Sequence, residues 1–297
     1  IKLERTTDAK SVLAEAKEKG VKDEAFDQLE KRLAESIVNS QHPSSDQLQV
    51  IINLFNQGLM QRVLSESTQM LEIYPKSFVL YNLIGAANAS LMHHDEAIGS
   101  YKQALKIKPD YADACNNMGN AHKDKGDLEA AIGSYQQALK IKPDYAEAYN
   151  NMGSALKNRG DLDAAIVSYQ QALKMKPDYA EAYYNVGVAL WDKGDLEAAI
   201  NSYKQAIKIK PDHSEAYNSM GVALRDKGDL EAATDSFKQA IKIKPDFAGA
   251  KQNLVLLLEC HTPQNDNSNL IVIVNEAIRK IDIKDITSGI ISDDQVV

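Results

Sequence analysis

Five consecutive rows of 34 residues, starting at Phe78, Ala112, Ala146, Ala180 and Ser214, superimpose without a gap. A sixth, more divergent row starts near Ser44. A period of this length cannot be housed in a fold with one central core. It calls for a unit that stacks on copies of itself and covers its apolar face with its neighbours. Residues 146–179 serve as the type row, with Tyr149, Met152, Gly153, Leu156, Gly160, Ala165, Tyr169, Ala172 and Pro177 recurring.

Each recurring residue has a steric role. Tyr149, Met152, Gly153 and Leu156 follow i, i+3, i+4, i+7, one face of a helix. Ala165, Tyr169, Ala172 and Leu173 make the same stripe in a second helix. Gly153, Ala165 and Ala172 are small, so two helices approach closely and the tyrosines fill the gaps between repeats. Gly160 supplies a left-handed residue at the end of the first helix, Asp161 caps the second, and Pro177 stops it. Asp110, Asp144, Asp178 and Asp212 each stand three residues before an acid: Asp113, Glu147, Glu181 and Glu215. This spacing reads as a capping box, with the second acid also complementing the helix dipole.

The pattern resembles the tetratricopeptide repeat over residues 44–247, about two thirds of the chain. The resemblance implies an all-α, right-handed superhelical solenoid of antiparallel helix pairs. The expected organisation is about six repeats of 34 residues, at 44–77, 78–111, 112–145, 146–179, 180–213 and 214–247, plus a closing helix at 248–260. Residues 1–43 contain two amphipathic stretches between 8 and 39 that extend the stack. Residues 261–269 have the composition of a linker. Residues 270–297 read as the start of an incomplete C-terminal segment. With Ile1 at one end and Val297 at the other, the chain reads as a fragment of something longer.

Chemistry of the catalytic kind is hard to find. The nearest group to a metal site, His93, His94, Asp95 and Glu96, falls at a turn between helices, where polar residues are ordinary. His122 and His213 lack cysteine partners at zinc spacing, and no phosphate-cradling glycine motif occurs. Cys115 takes the place of Tyr149 and reads as a packing residue. No catalytic residue, metal or cofactor is expected, and the chain is read as a non-enzyme. The net charge of -8 argues against a nucleic-acid surface. No apolar run is long enough to span a bilayer. Two cysteines and no visible leader predict a cytoplasmic protein.

The first helices carry unexplained asparagines. Asparagine is a poor helix-interior residue, yet Asn117, Asn151 and Asn185 share one phase, and Asn253 falls in it too. Ser219 and Leu83 interrupt the series. In stacked hairpins the first helices line the inner surface, which puts Asn150, Asn151, Ser154, Lys157 and Asn158 toward the groove. An amide offers a carbonyl and an NH2 together, matching an extended peptide backbone. The arrangement resembles the repeat domain of protein O-linked N-acetylglucosamine transferases, whose inner asparagines hold substrate backbone. That resemblance implies the same role for Asn117, Asn151, Asn185 and Asn253. The competing reading is that the amides bond neighbouring helices and only stabilise the stack.

Four hydrogen bonds at about 0.5–1.5 kcal/mol each contribute roughly 2–6 kcal/mol, while micromolar affinity needs about 8. Side-chain anchors are therefore required. Tyr184, Val188 and Trp191, spaced i, i+4, i+7, supply one, with Val222 and Arg225 alongside. Trp191 packed back on its own repeat is the competing reading. The expectation is a protein-interaction scaffold holding an extended peptide. The runner-up is the substrate-recruiting arm of a larger glycosyl- or sulfotransferase. A co-chaperone clamp for acidic tails is disfavoured, because Glu147, Glu181 and Glu215 stand where such clamps place cations. Self-association through exposed repeat ends is a further expectation.

Overall fold

The structure, a computed structural model, describes residues 42–259. The expectations for residues 8–39 and 261–297 lie outside the described residues. Among the described residues there are thirteen helices and no strand. They divide between two compact units, one ending at Pro143 and one beginning at Asp144. The first holds α1 (Ser45–Asn56), α2 (Met60–Ile73), α3 (Phe78–Ser90), α4 (His94–Ile107), α5 (Ala112–Lys125) and α6 (Leu128–Ile141). The second holds α7 (Ala146–Arg159), α8 (Leu162–Met175), α9 (Ala180–Asp192), α10 (Leu196–Ile209), α11 (Ser214–Lys227), α12 (Leu230–Ile243) and α13 (Ala248–Glu259).

Within each unit the packing is sequential: every helix lies against the next. The hairpins close because a glycine faces an aromatic ring. A Cβ on Gly153 would lie 2.6 Å from Cε1 of Tyr169, and Gly85, Gly119, Gly187 and Gly221 meet Tyr101, Tyr135, Tyr203 and Phe237 equally closely. Those five rings are at most 2% exposed, so each of the five repeats from Phe78 onward keeps one aromatic plug inside its own hairpin, where two backbones come together, rather than in the gap between repeats that the sequence suggested. In the second unit α7, α9, α11 and α13 also touch one another in succession, whereas α8, α10 and α12 do not come comparably close. The first helices therefore line the inner side of this array. Helix α13 buries Ala250, Leu254 and Leu257 in one cluster with Phe237 and Ile241, covering the last hairpin as the sequence suggested.

The turns correct two capping expectations. Gly160 is left-handed, with φ of 99°, as read. Asp110, Asp144, Asp178 and Asp212, however, cap nothing. The first helices start one residue later, and the N-cap positions are Tyr111, Tyr145, Tyr179 and His213, without a side-chain cap bond. The aspartate is thereby one residue too far out, while Asp113, Glu147, Glu181 and Glu215 stay in the first turn, where they favour the dipole. In the second helices Asp127, Asp195 and Asp229 accept from the backbone N–H three residues on. Asp161 stands at the same place but makes no cap bond, because its carboxylate is taken by Arg159.

Candidate functional site

Glu181, Tyr184, Asn185, Val188 and Trp191 recur at helical spacing on α9, on a face distinct from the buried Ala182, Val186, Gly187 and Ala189. The same face of α11 carries Glu215, Asn218, Ser219, Val222 and Arg225. These faces belong to the inner helices of the second unit, and their chemistry depends on how adjacent repeats meet.

The asparagines meet in pairs across the seams. Nδ2 of Asn185 donates to Oδ1 of Asn150 at 2.9 Å, and Asn253 donates to Asn218 at 3.0 Å. In the first unit Asn117 donates to Asn82 at 3.3 Å. Each pair spans 35 residues. The donor is half-exposed in every case. Asn150, by contrast, is 1% exposed, which differs from the expectation that it faces the groove: it is the buried bracket on which Asn185 rests. Asn151 is half-exposed on α7. The acceptors Asn82 and Asn218 escaped sequence reasoning. Their signal was present, an amide 35 residues before each donor, one more than the repeat length.

The same pairing explains the interruptions. Leu83 occupies a donor place, and the corresponding acceptor place holds Leu48; both pack on one apolar cluster. At the α9–α11 seam the acceptor place is Tyr184 and the donor place Ser219. Ser219 stands by the Tyr203 hydroxyl instead and works against the rise that burial imposes on that phenol. That hydroxyl needs a partner because Val188 stands where Asn120 and Ser154 receive Tyr135 (2.7 Å) and Tyr169 (3.3 Å). One seam later, Val222 faces Phe237, which has no hydroxyl to satisfy. The amide is thus lost on both sides of a seam together, Leu48 with Leu83 and Tyr184 with Ser219.

Tyr184, Val188 and Val222 are half-buried against the core. The Tyr184 ring centroid lies 5.9 Å from Tyr203 and 5.1 Å from His213. Trp191 does not fold back on its own repeat. Its Nε1 donates to Oδ2 of Asp226 on α11 at 2.9 Å, leaving the side chain 37% exposed. Arg225 donates through Nε and Nη2 to the other oxygen of Asp226, at 3.1 and 2.9 Å. Trp191 and Arg225 are thus brought together, with the guanidinium already engaged by a carboxylate.

Among the described residues no cluster of three or more His, Cys, Asp and Glu is arranged to hold a metal ion. Cys115 is fully buried, and burial pushes its thiol up to about 11. No described helix is long and apolar enough to cross a membrane.

Sequence profiles described as TPR repeat match residues 93–126, 119–158, 153–194 and 189–225, and one described as tetratricopeptide repeat matches 214–247. Together they cover a little over half of the 297 residues. A comparison with curated proteins found no match. Among solved structures, a crystal structure of MamA is 33% identical over 56% of this chain and 96% of that one, with a TM-score of 0.51. YrrB, described as a TPR protein with an unusual peptide-binding site, is 22% identical over 63% of this chain and 96% of its own, at 0.51. A structure of Pseudomonas aeruginosa pilF is 15% identical over 70% of this chain and 94% of its own, at 0.61. The last two show the fold alone. With hairpins closed by glycine on an aromatic plug and stacked in register, the chain belongs to the tetratricopeptide repeat family, an all-α scaffold for protein interaction.

Proposed function

We propose that the inner face of the second unit holds an extended segment of a partner protein, with Asn151, Asn185 and Asn253 meeting its backbone and Trp191 anchoring one of its side chains. Asn117 offers the same contact in the first unit. The observation that carries the reading is the Asn185–Asn150 pair. One amide proton of Asn185 is spent on a buried acceptor, which fixes the side chain. Its other N–H and its carbonyl remain for a peptide group. A rigid amide loses little entropy on binding, which favours affinity. Trp191, tethered by Asp226 and partly open, is a similarly pre-set apolar platform, flanked by Tyr184, Val188 and Val222. Arg225 acts by neutralising and holding Asp226 rather than by reaching the peptide. YrrB, described as peptide-binding, lends analogy at the level of the fold.

The test is selection of linear peptides from a displayed library on the folded chain, followed by titration of the Asn185→Ala, Asn253→Ala double variant. Two lost backbone contacts predict about five- to a hundredfold weaker binding with retained helical circular dichroism. Unchanged affinity in a folded double variant removes the reading.

A further inference from the structure

The two edges of the inner face in the second unit differ in chemistry. Glu147, Glu181 and Glu215 stand near the N-termini of α7, α9 and α11, and all three are exposed. One edge thus repeats a carboxylate on three successive inner helices. Toward the C-termini, Val188, Trp191 and Val222 form an apolar strip on α9 and α11. The cations on that side are Lys157 and Arg225, and Arg225 is paired with Asp226. The amides of Asn185 and Asn253 run between the two edges.

An extended chain turns successive side chains to opposite sides. Laid along the amides and across the helices, it sends every second residue toward the carboxylate edge and the intervening ones toward the apolar strip. We infer that the second unit takes an extended protein segment in which basic and apolar residues alternate, the basic ones facing Glu147, Glu181 and Glu215 and the apolar ones seated on Val188, Trp191 and Val222. This rests on the peptide-holding reading above and specifies which peptide it concerns. Alternation matters because a segment with both kinds of residue on one side places a charge against the indole or an apolar group against a carboxylate. Both mismatches oppose binding. Charge attraction by the exposed edge acts at a distance and is screened by salt.

The full chain is titrated with three labelled ten-residue peptides alternating Lys with Val, Glu with Val, and Lys with Ser. Lys–Val is expected to bind at least about tenfold more tightly than either of the others, the margin that one anchor or one like-charge clash supplies. Trp191→Ala, at a partly exposed site, weakens Lys–Val about thirtyfold. Glu147→Gln with Glu181→Gln weakens it about two- to fivefold and flattens its salt dependence. Equal or tighter binding of Glu–Val or Lys–Ser, still lost in the Asn185→Ala, Asn253→Ala variant, overturns the alternation and leaves the peptide-holding reading standing. Lys–Val binding indifferent to both the amide and the Trp191 substitutions overturns both. No binding of any of the three overturns the alternation alone, since peptides selected from the library report separately on the groove.

Discussion

Met92 holds the place that Gly126, Gly160, Gly194 and Gly228 occupy in the other repeats, and it keeps their left-handed backbone, with φ of 64°. A side chain in that region costs about 1–2 kcal/mol. Met92 is 71% exposed, so little packing offsets the cost. Met92→Gly is therefore expected to stabilise the first unit by about 1 kcal/mol, read as a higher midpoint in urea with an unchanged slope. The residue scale also shows what legibility depends on. The close approach at Gly153 was readable from helical spacing, whereas Tyr169, expected between repeats, plugs its own hairpin against that glycine. Asn150 was misread, because nothing inside its own repeat distinguishes a buried acceptor from an exposed amide.

At the scale of the helix, the repeats are less uniform than their sequences. Asp127, Asp161, Asp195 and Asp229 all precede a second helix, yet Asp161 alone of the four makes no cap bond, its carboxylate being drawn to Arg159. Asp195→Ala is expected to cost about 1 kcal/mol, the loss of a cap, and Asp161→Ala distinctly less. Equilibrium denaturation of the two variants side by side measures the difference. Neighbouring repeats are also joined by Lys125–Asp95, Lys193–Asp163 and Lys227–Glu197. These pairs are exposed and screened, so they align seams more than they stabilise them. The binding of each donor amide to its acceptor is the more selective joint, since where the donor place lacks an amide, at Leu83 and Ser219, the acceptor place, Leu48 and Tyr184, lacks one too.

Across the whole molecule the buried aromatic plugs impose a common response to alkali. Burial, with the nearby carboxylates Glu181 and Asp192, raises the Tyr169 phenol to about 12 against the effect of its hydrogen bond with Ser154. Burial together with Glu181 and Glu147 raises Tyr179 to about 12. Tyr101, Tyr135 and Tyr203 are pushed up further by burial. An unfolded tyrosine ionises near pH 10. The folded pKa lies above that value, so the neutral ring's contribution is fully present below about pH 10 and is lost as pH rises through about 12. Stability is expected to be insensitive to tyrosine ionisation near neutrality and to fall steeply between those limits. Helical circular dichroism with phenolate absorbance at 295 nm, followed together across the titration, checks it.

The residue pattern alone was sufficient for the 34-residue hairpin, the small residues that let its helices approach, its left-handed turns and the burial of Cys115. All of these are set by contacts within one or two turns of chain or within one hairpin, where helical geometry makes spacing equivalent to position. Stacking decided the rest: that Asn185 rests on Asn150, that Trp191 reaches Asp226, and that Tyr184 excludes an amide rung from its seam. Those partners stand about one repeat apart in the chain and become neighbours only when one hairpin settles on the next, at an offset that no local period encodes.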